Sequence, residues 1–171
     1  GLCQAVVINS CNANACTGKQ GFKDAKEMLE LTEKELGIKK GFAMVASTGV
    51  IGQPLPMAKI KKGIMTLDSR LSTLNWCDAV EAIMTTDAFP KVAFEKCRIG
   101  NKEVSMLGIA KGAGMIKPDM ATMLSFIVTD VNIEKNALQQ ALKKAVDNSF
   151  NSITVDGDTS TNDTVLVLAN G

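Results

Sequence analysis

A chain of 171 residues with 46% hydrophobic and 22% charged residues carries enough apolar material to close one well-buried domain, which argues against disorder. Its 19 basic residues are balanced by 18 acidic ones, and aromatics make up 4% with no tyrosine, so nothing resembles a polybasic face with stacking aromatics for nucleic acid. Histidine is absent, which excludes Ser-His-Asp and Cys-His catalysis and histidine-dependent metal sites from this chain.

The chain starts without a methionine and enters a strand-like run, Cys3-Gln4-Ala5-Val6-Val7-Ile8-Asn9, almost at once; it reads as a piece of something longer. Residues 5–8 predict a short buried strand, followed by a polar loop over residues 9–18 whose asparagines and glycine favour turns. Phe22, Ala25, Met28, Leu29 and Leu36 recur at helical spacing, with Gly37 and Gly41 as stop signals. A second apolar run, Phe42-Ala43-Met44-Val45-Ala46, feeds Ser47-Thr48-Gly49-Val50-Ile51-Gly52, a strand-to-loop junction where backbone N–H groups can be exposed. Residues 54–84 read as mostly helical: Met57, Ile60, Ile64, Leu67 and Leu71 mark one amphipathic helix, and Trp76, Val80 and Ile83 a second.

Residues 92–99 and 104–110 flank Gly100-Asn101, a pair suited to a tight hairpin with positive φ, so an antiparallel pair is predicted. A strand is predicted over residues 122–131. Ile133, Ala137, Leu138, Ala141, Leu142, Ala145 and Val146 then form the clearest helical stripe in the chain. Residues 153–155 and 164–168 are predicted as closing strands around the polar run Asp156-Gly157-Asp158-Thr159-Ser160-Thr161-Asn162-Asp163. The result is an α+β class in a single domain, with mixed sheets packed with helices and no internal repeat.

Five cysteines without a C-x-x-C pair fit free thiols in a reducing compartment, in structural or incidental roles, better than a disulfide framework or a zinc cluster. No segment reaches the roughly 18–20 continuous apolar residues of a membrane span, and the start has no charged leader, so a soluble cytoplasmic protein is expected.

Three local motifs fail on spacing. Gly18-Lys19 lacks the glycine five positions earlier and the Ser/Thr after it that a phosphate loop needs, for the chain has Ala13 and Gln20 there. Lys111-Gly112-Ala113-Gly114 lacks the third glycine of a dinucleotide fingerprint and lies between predicted strands. The run from Asp156 has Thr161 and Val167 where an EF-hand needs Gly and Glu, and it reads as a turn network or pocket rim rather than a metal site.

Thr122 opens an apolar stretch just after a loop rich in glycine with one proline. By spacing alone it is an ordinary strand threonine. If the bond before it were cut, however, one residue would carry both a hydroxyl and a free α-amine, which titrates at about 7.7 to 8.0 and can take the hydroxyl proton near neutral pH.

Four segments, residues 9–18, 47–52, 111–124 and 154–163, occur in the order and pattern in which the chain resembles the ornithine acetyltransferase (glutamate N-acetyltransferase) family along essentially its whole length. The resemblance implies a layered sandwich of the self-processing, N-terminal-nucleophile-like type. It further implies self-cleavage between Ala121 and Thr122, residues 1–121 belonging to an α chain and residues 122–171 to the start of a β chain. Thr122 would be the nucleophile, Thr48 and Gly49 would stabilise the oxyanion, and Thr85 (or Thr86, if the register slips), Lys111 and Thr122 would contact substrate. The implied reaction takes acetyl from N-acetyl-L-ornithine to L-glutamate for arginine biosynthesis, without metal or organic cofactor, acetyl-CoA being an acetyl donor for some members. Assembly with the remaining α and β segments, as α2β2, is implied too.

The chain departs from the family at Cys11, where Asn-Ser-Gly-Asn is usual, and members extend before Gly1 and beyond Gly171, so a glutamate and polar residues that complete the pocket are expected outside residues 1–171. A self-processing amidohydrolase or aminopeptidase, and a catalytically inert fragment, are the alternatives.

Overall fold

The computed structural model describes residues 1–67, 71, 76–117 and 123–171. Its α+β class matches the expectation. The chain forms two compact units, Gly1–Thr85 and Thr86–Gly171. Among the described residues the strands pair within each unit, as one two-stranded and one four-stranded sheet.

In the first unit, β1 (Ala5–Asn9) and β2 (Ala43–Ser47) pair in parallel from Ala5↔Ala43 to Asn9↔Ser47. Parallel neighbours need a crossover, and α1 (Gly18–Glu35) provides it. It ends in a Schellman motif in which the Ile38 N–H donates to the Glu33 carbonyl (3.0 Å) and the Gly37 N–H to that of Lys34 (3.2 Å). Gly37, at φ +62°, takes the left-handed conformation the motif needs. The buried Glu33 carboxylate then accepts from the N–H groups of Gly41 (2.6 Å) and Ala43 (3.3 Å), tying the end of the helix to the start of β2. Helices α2 (Met57–Leu67) and α3 (Trp76–Ile83) follow where two helices are predicted, but Leu71, the end of the first predicted stripe, lies outside α2 and is exposed. Val7, Met28, Leu55 and Ile64 form the core, with Leu31, Val45, Met57 and Ile60 packed around it.

The buried face of α1 differs from the predicted stripe. Phe22 is 77% exposed, and the inward line runs Gly21, Asp24, Met28, Thr32. Gly21 sets this rotation, because a Cβ there would collide with Thr17 Oγ1 and Asn14 Oδ1. Its bare backbone lets the polar loop close on the helix, with Asn14 Nδ2 donating to the Gly21 carbonyl at 2.8 Å.

The second unit is a mixed sheet in the order β3-β4-β5-β6. The hairpin of β3 (Lys91–Ile99) and β4 (Lys102–Lys111) turns at Gly100, whose φ of +63° matches the hairpin prediction. β4 pairs antiparallel with β5 (Leu124–Thr129), and β5 pairs in parallel with β6 (Thr164–Ala169). The crossover carries α4 (Lys135–Asp147), whose first turn is capped by the Glu134 carboxylate accepting from the Asn136 and Ala137 N–H groups.

Residues 153–155 are not a strand, contrary to the prediction. A single 3₁₀ turn, Phe150–Ser152, precedes an irregular path on which Ile153 and Val155 are 45% and 60% exposed. The side of β5 away from β4 is taken by β6, and the Val155 N–H finds one acceptor, the Ile116 carbonyl at 2.8 Å, in place of a ladder. All five cysteines are free, and four are exposed rather than buried. Among the described residues no helix is long and apolar enough to cross a membrane.

Candidate functional site

Ala121 and Thr122 lie outside the described residues. Around the other predicted positions the geometry is explicit.

In the first unit, Thr48 and Gly49 sit where β2 runs into its loop, against the segment that leaves β1. The Thr48 N–H donates to the Asn9 carbonyl (3.1 Å) and the Val50 N–H to that of Cys11 (3.0 Å), so the amides on either side of Gly49 are spent. The Gly49 amide makes no such bond among the described residues. Thr48 is 2% exposed. Gly49 has φ +129°, and a Cβ on it would collide with the Cys11 carbonyl. The residue it meets is strained in turn: Cys11 has φ +76°, the region that favours glycine, at the position where the resemblance places one. Neighbouring polar groups fasten the two segments, Asn9 Nδ2 to the Asn12 carbonyl (2.7 Å) and the Asn14 N–H to Ser47 Oγ (2.8 Å). Thr85 is exposed after α3, at the end of this unit, and Thr86 is exposed at the start of the next.

In the second unit Lys111 is not a solvated loop lysine. It is the last residue of β4, opposite Leu124 at the start of β5, and is 2% exposed. Burial is the main influence on its ammonium and pushes its pKa below the usual lysine value. The charge of Lys91 pushes the same way, while Asp87 and Asp163 pull it back up. Asp87 has a fully buried side chain whose Oδ1 accepts from Lys91 Nζ (2.6 Å) and from the Gly112 N–H (2.7 Å), which anchors the backbone immediately after Lys111. A cavity of about 260 Å³ opens here, with Lys91 and Lys111 among otherwise mainly apolar walls that include Ile116, Met123, Phe150 and Val155. An ammonium set into such walls suits a small anion with an aliphatic body.

The polar run before β6 behaves as the turn network the sequence predicts, and it does more. At its start, the Asp156 carboxylate accepts from the N–H groups of Met115 (2.5 Å), Asp158 (3.2 Å) and Ile116 (2.9 Å), and these bonds lower its pKa from the usual carboxylate value. At its end, Asp163 Oδ1 accepts from the Met123 N–H at 2.8 Å. One eight-residue run therefore grips the chain on both sides of residues 118–122. Sequence reasoning missed Asp87 and Asp163 as individuals. A carboxylate that serves a distant backbone amide leaves no periodic signal, although Asp163 lies within the polar run already singled out.

The ArgJ family profile matches residues 1–171. The chain belongs to the ArgJ family. An arginine biosynthesis bifunctional protein ArgJ from Symbiobacterium thermophilum is 57% identical over 171 residues, which is all of this chain and 42% of that protein. The Geobacter sulfurreducens protein of the same name is 50% identical over all of this chain and 44% of its own length. The chain thus spans less than half the length of these ArgJ relatives. Among solved structures, the Bacillus halodurans ArgJ superposes with a TM-score of 0.61 at 39% identity, covering 70% of this chain and 61% of that one. An ornithine acetyltransferase from Mycobacterium tuberculosis, solved with ornithine, gives 0.55 at 32% identity, covering 67% and 61%. Shared ArgJ structure bears out the expected layered α+β class.

Proposed function

We propose that these residues are part of an acetyltransferase that carries acetyl from N-acetyl-L-ornithine to L-glutamate on Thr122, after self-cleavage between Ala121 and Thr122. The observation that carries this reading is membership of the ArgJ family along residues 1–171 in a chain that keeps Ala121-Thr122. The ornithine bound in a solved relative and the buried Lys111 support it.

In the first step Thr122 Oγ attacks the Ala121 carbonyl carbon, the Ala121–Thr122 C–N bond breaks as the hydroxyl proton passes to the nitrogen, and water hydrolyses the resulting ester to leave a carboxylate on Ala121 and an amine on Thr122. Thr122 Oγ then attacks the acetyl carbonyl, its proton passing to its own α-amine. The amide C–N bond breaks, ornithine leaves with that proton, and acetyl remains as an ester. The amine of glutamate attacks the ester, and the proton it loses returns to Thr122 Oγ. Oxyanion stabilisation falls to the Gly49 amide and the Thr48 side chain, since the Thr48 amide is committed to Asn9. No metal or organic cofactor enters, and acetyl-CoA is an alternative donor. Thr85 or Thr86 adds a substrate contact, and the active assembly pairs two α with two β chains.

The test is to give full-length protein labelled N-acetylornithine, locate the label by peptide mapping, and measure how acetyl-Thr122 divides between glutamate and water. Label on Thr122 that passes mainly to glutamate is the expected result. Release to water alone would point to an amidohydrolase, and an uncut, unlabelled chain to an inert one.

Lys111 holds the substrate carboxylate. Lys111→Met is expected to raise KM for both substrates about tenfold to a hundredfold, the range of one lost charge-assisted hydrogen bond, with a smaller change in kcat. Steady-state kinetics with each substrate varied in turn checks it, and unchanged KM values would remove Lys111 from the site.

A further inference from the structure

Asp87 enters no step of the reaction above, yet its side chain is fully buried. Its place explains part of this. β3 begins at Lys91, opposite Ala110, so the Gly112 N–H lies past the end of that ladder, and Asp87 Oδ1 serves it at 2.7 Å in place of a strand. The same oxygen accepts from Lys91 Nζ at 2.6 Å, and that ammonium also lies 5.0 Å from the centre of the Phe89 ring, which fixes it from a second side.

An anchor for one N–H does not require a charge. An amide or hydroxyl oxygen accepts equally well, and a buried carboxylate is costly unless its charge is used. Nor does Lys91 demand it, since the Lys91 side chain is 34% exposed and within reach of water. The charge has a further use at the cavity, whose walls hold both Lys91 and Lys111. Two ammonium groups near one another each make the other harder to keep protonated, and a carboxylate between the chain segments that carry them offsets this.

We propose that Asp87 is a positioning residue for the substrate carboxylate: it fixes the backbone directly after Lys111 and cancels the charge of Lys91, so that Lys111 meets the ligand as an ammonium. This rests on the acetyl-transfer reading above, in which Lys111 takes the carboxylate. Among the described residues, the charged groups that act on Lys111 are Asp87 on the segment before β3, Lys91 at the start of β3 and Asp163 just before β6. Burial, the main influence, and Lys91 lower its pKa, whereas Asp87 and Asp163 raise it.

These signs give the test. An amine binds a carboxylate as a charge partner only while protonated, so the alkaline limb of 1/KM follows Lys111. Asp87→Asn keeps an oxygen of the same size and removes the charge. In full-length protein it is expected to move that limb, measured with N-acetylornithine, to lower pH by about one unit. Lys91→Met removes the opposing charge and is expected to move the limb the other way. Asp87→Ala, which also releases the Gly112 N–H, is expected to raise KM about tenfold at neutral pH with kcat little changed. The Lys111 titration is followed independently of activity by nuclear magnetic resonance on lysine-labelled protein, its Cε signal being assigned by its loss in Lys111→Met. The midpoint is expected to fall in Asp87→Asn and to rise in Lys91→Met.

A merely structural aspartate would lower kcat or stability and leave both the midpoint and the limb in place, which overturns the proposal. Shifts of the same sign in Asp87→Asn and Lys91→Met overturn it too, because damage to packing has no reason to follow charge. If the midpoints move as expected while KM does not follow them, the ion cluster exists but Lys111 does not hold the carboxylate, and the binding reading falls together with the proposal. If Lys111→Met raises KM while Asp87→Asn moves neither midpoint nor limb, the binding reading stands and Asp87 alone is wrong.

Discussion

Full-length protein carrying Thr122→Ala is expected to remain one polypeptide and to lose acetyl transfer by at least about a thousandfold. The magnitude follows from the proposed chemistry: in that mechanism one side chain is nucleophile in both the cleavage and the transfer, and its loss would remove the covalent route altogether. With no histidine in the chain, a neighbouring Ser or Cys lacks an imidazole base within these residues to take over. Thr122→Ser keeps the hydroxyl and is expected to cleave and to transfer at a reduced rate. Intact mass reports the first step and a coupled assay for released ornithine the second. Cleavage at the same bond in the Ala variant, or acetyl transfer by it near the wild-type rate, would sink the assignment.

The second large effect belongs to Gly49→Ala. A Cβ there runs into the Cys11 carbonyl, and a φ of +129° is one that L side chains rarely adopt, so the loop cannot keep its path. In the proposed mechanism, moving the Gly49 amide out of line would remove an oxyanion donor, worth about 3 to 4 kcal/mol of barrier, or a hundredfold to a thousandfold in kcat, with KM little altered. Gly52 is the control: it also has a positive φ, +80°, but a Cβ on it meets open space. Gly52→Ala is expected to cost about 1 to 2 kcal/mol of stability from backbone strain and to leave kcat near wild type. Kinetics alongside urea unfolding separates the two. Equal kcat losses in both variants would mean that strain, and not a displaced donor, is being measured.

The elements most legible in the sequence were those whose signals are local. The hairpin at Gly100-Asn101 was read from its turn residues and the two short strands of the first unit from short apolar runs, and all formed as expected. The stripe of α1 was misjudged because Phe22 invites burial, while the side chain that actually matters at the seam is the missing one on Gly21. Residues 153–155 looked like a strand from their branched side chains, yet a strand exists only where a neighbour completes its ladder. Here Asp156 and the Ile116 carbonyl satisfy the local groups instead.

The amino-acid order alone determined the family resemblance, the α+β class, the exclusion of histidine chemistry and the choice of Thr48, Gly49, Lys111 and Thr122 as the residues to test. Such features depend on residue identity and near-neighbour spacing, and these survive without coordinates. Only the tertiary structure decided that Lys111 is buried at the end of β4, that the Thr48 amide is spent while that of Gly49 makes no backbone bond among the described residues, and that one polar run grips both flanks of residues 118–122. Each of those joins groups up to about forty positions apart, where desolvation and hydrogen-bond pairing depend on which chain segments meet.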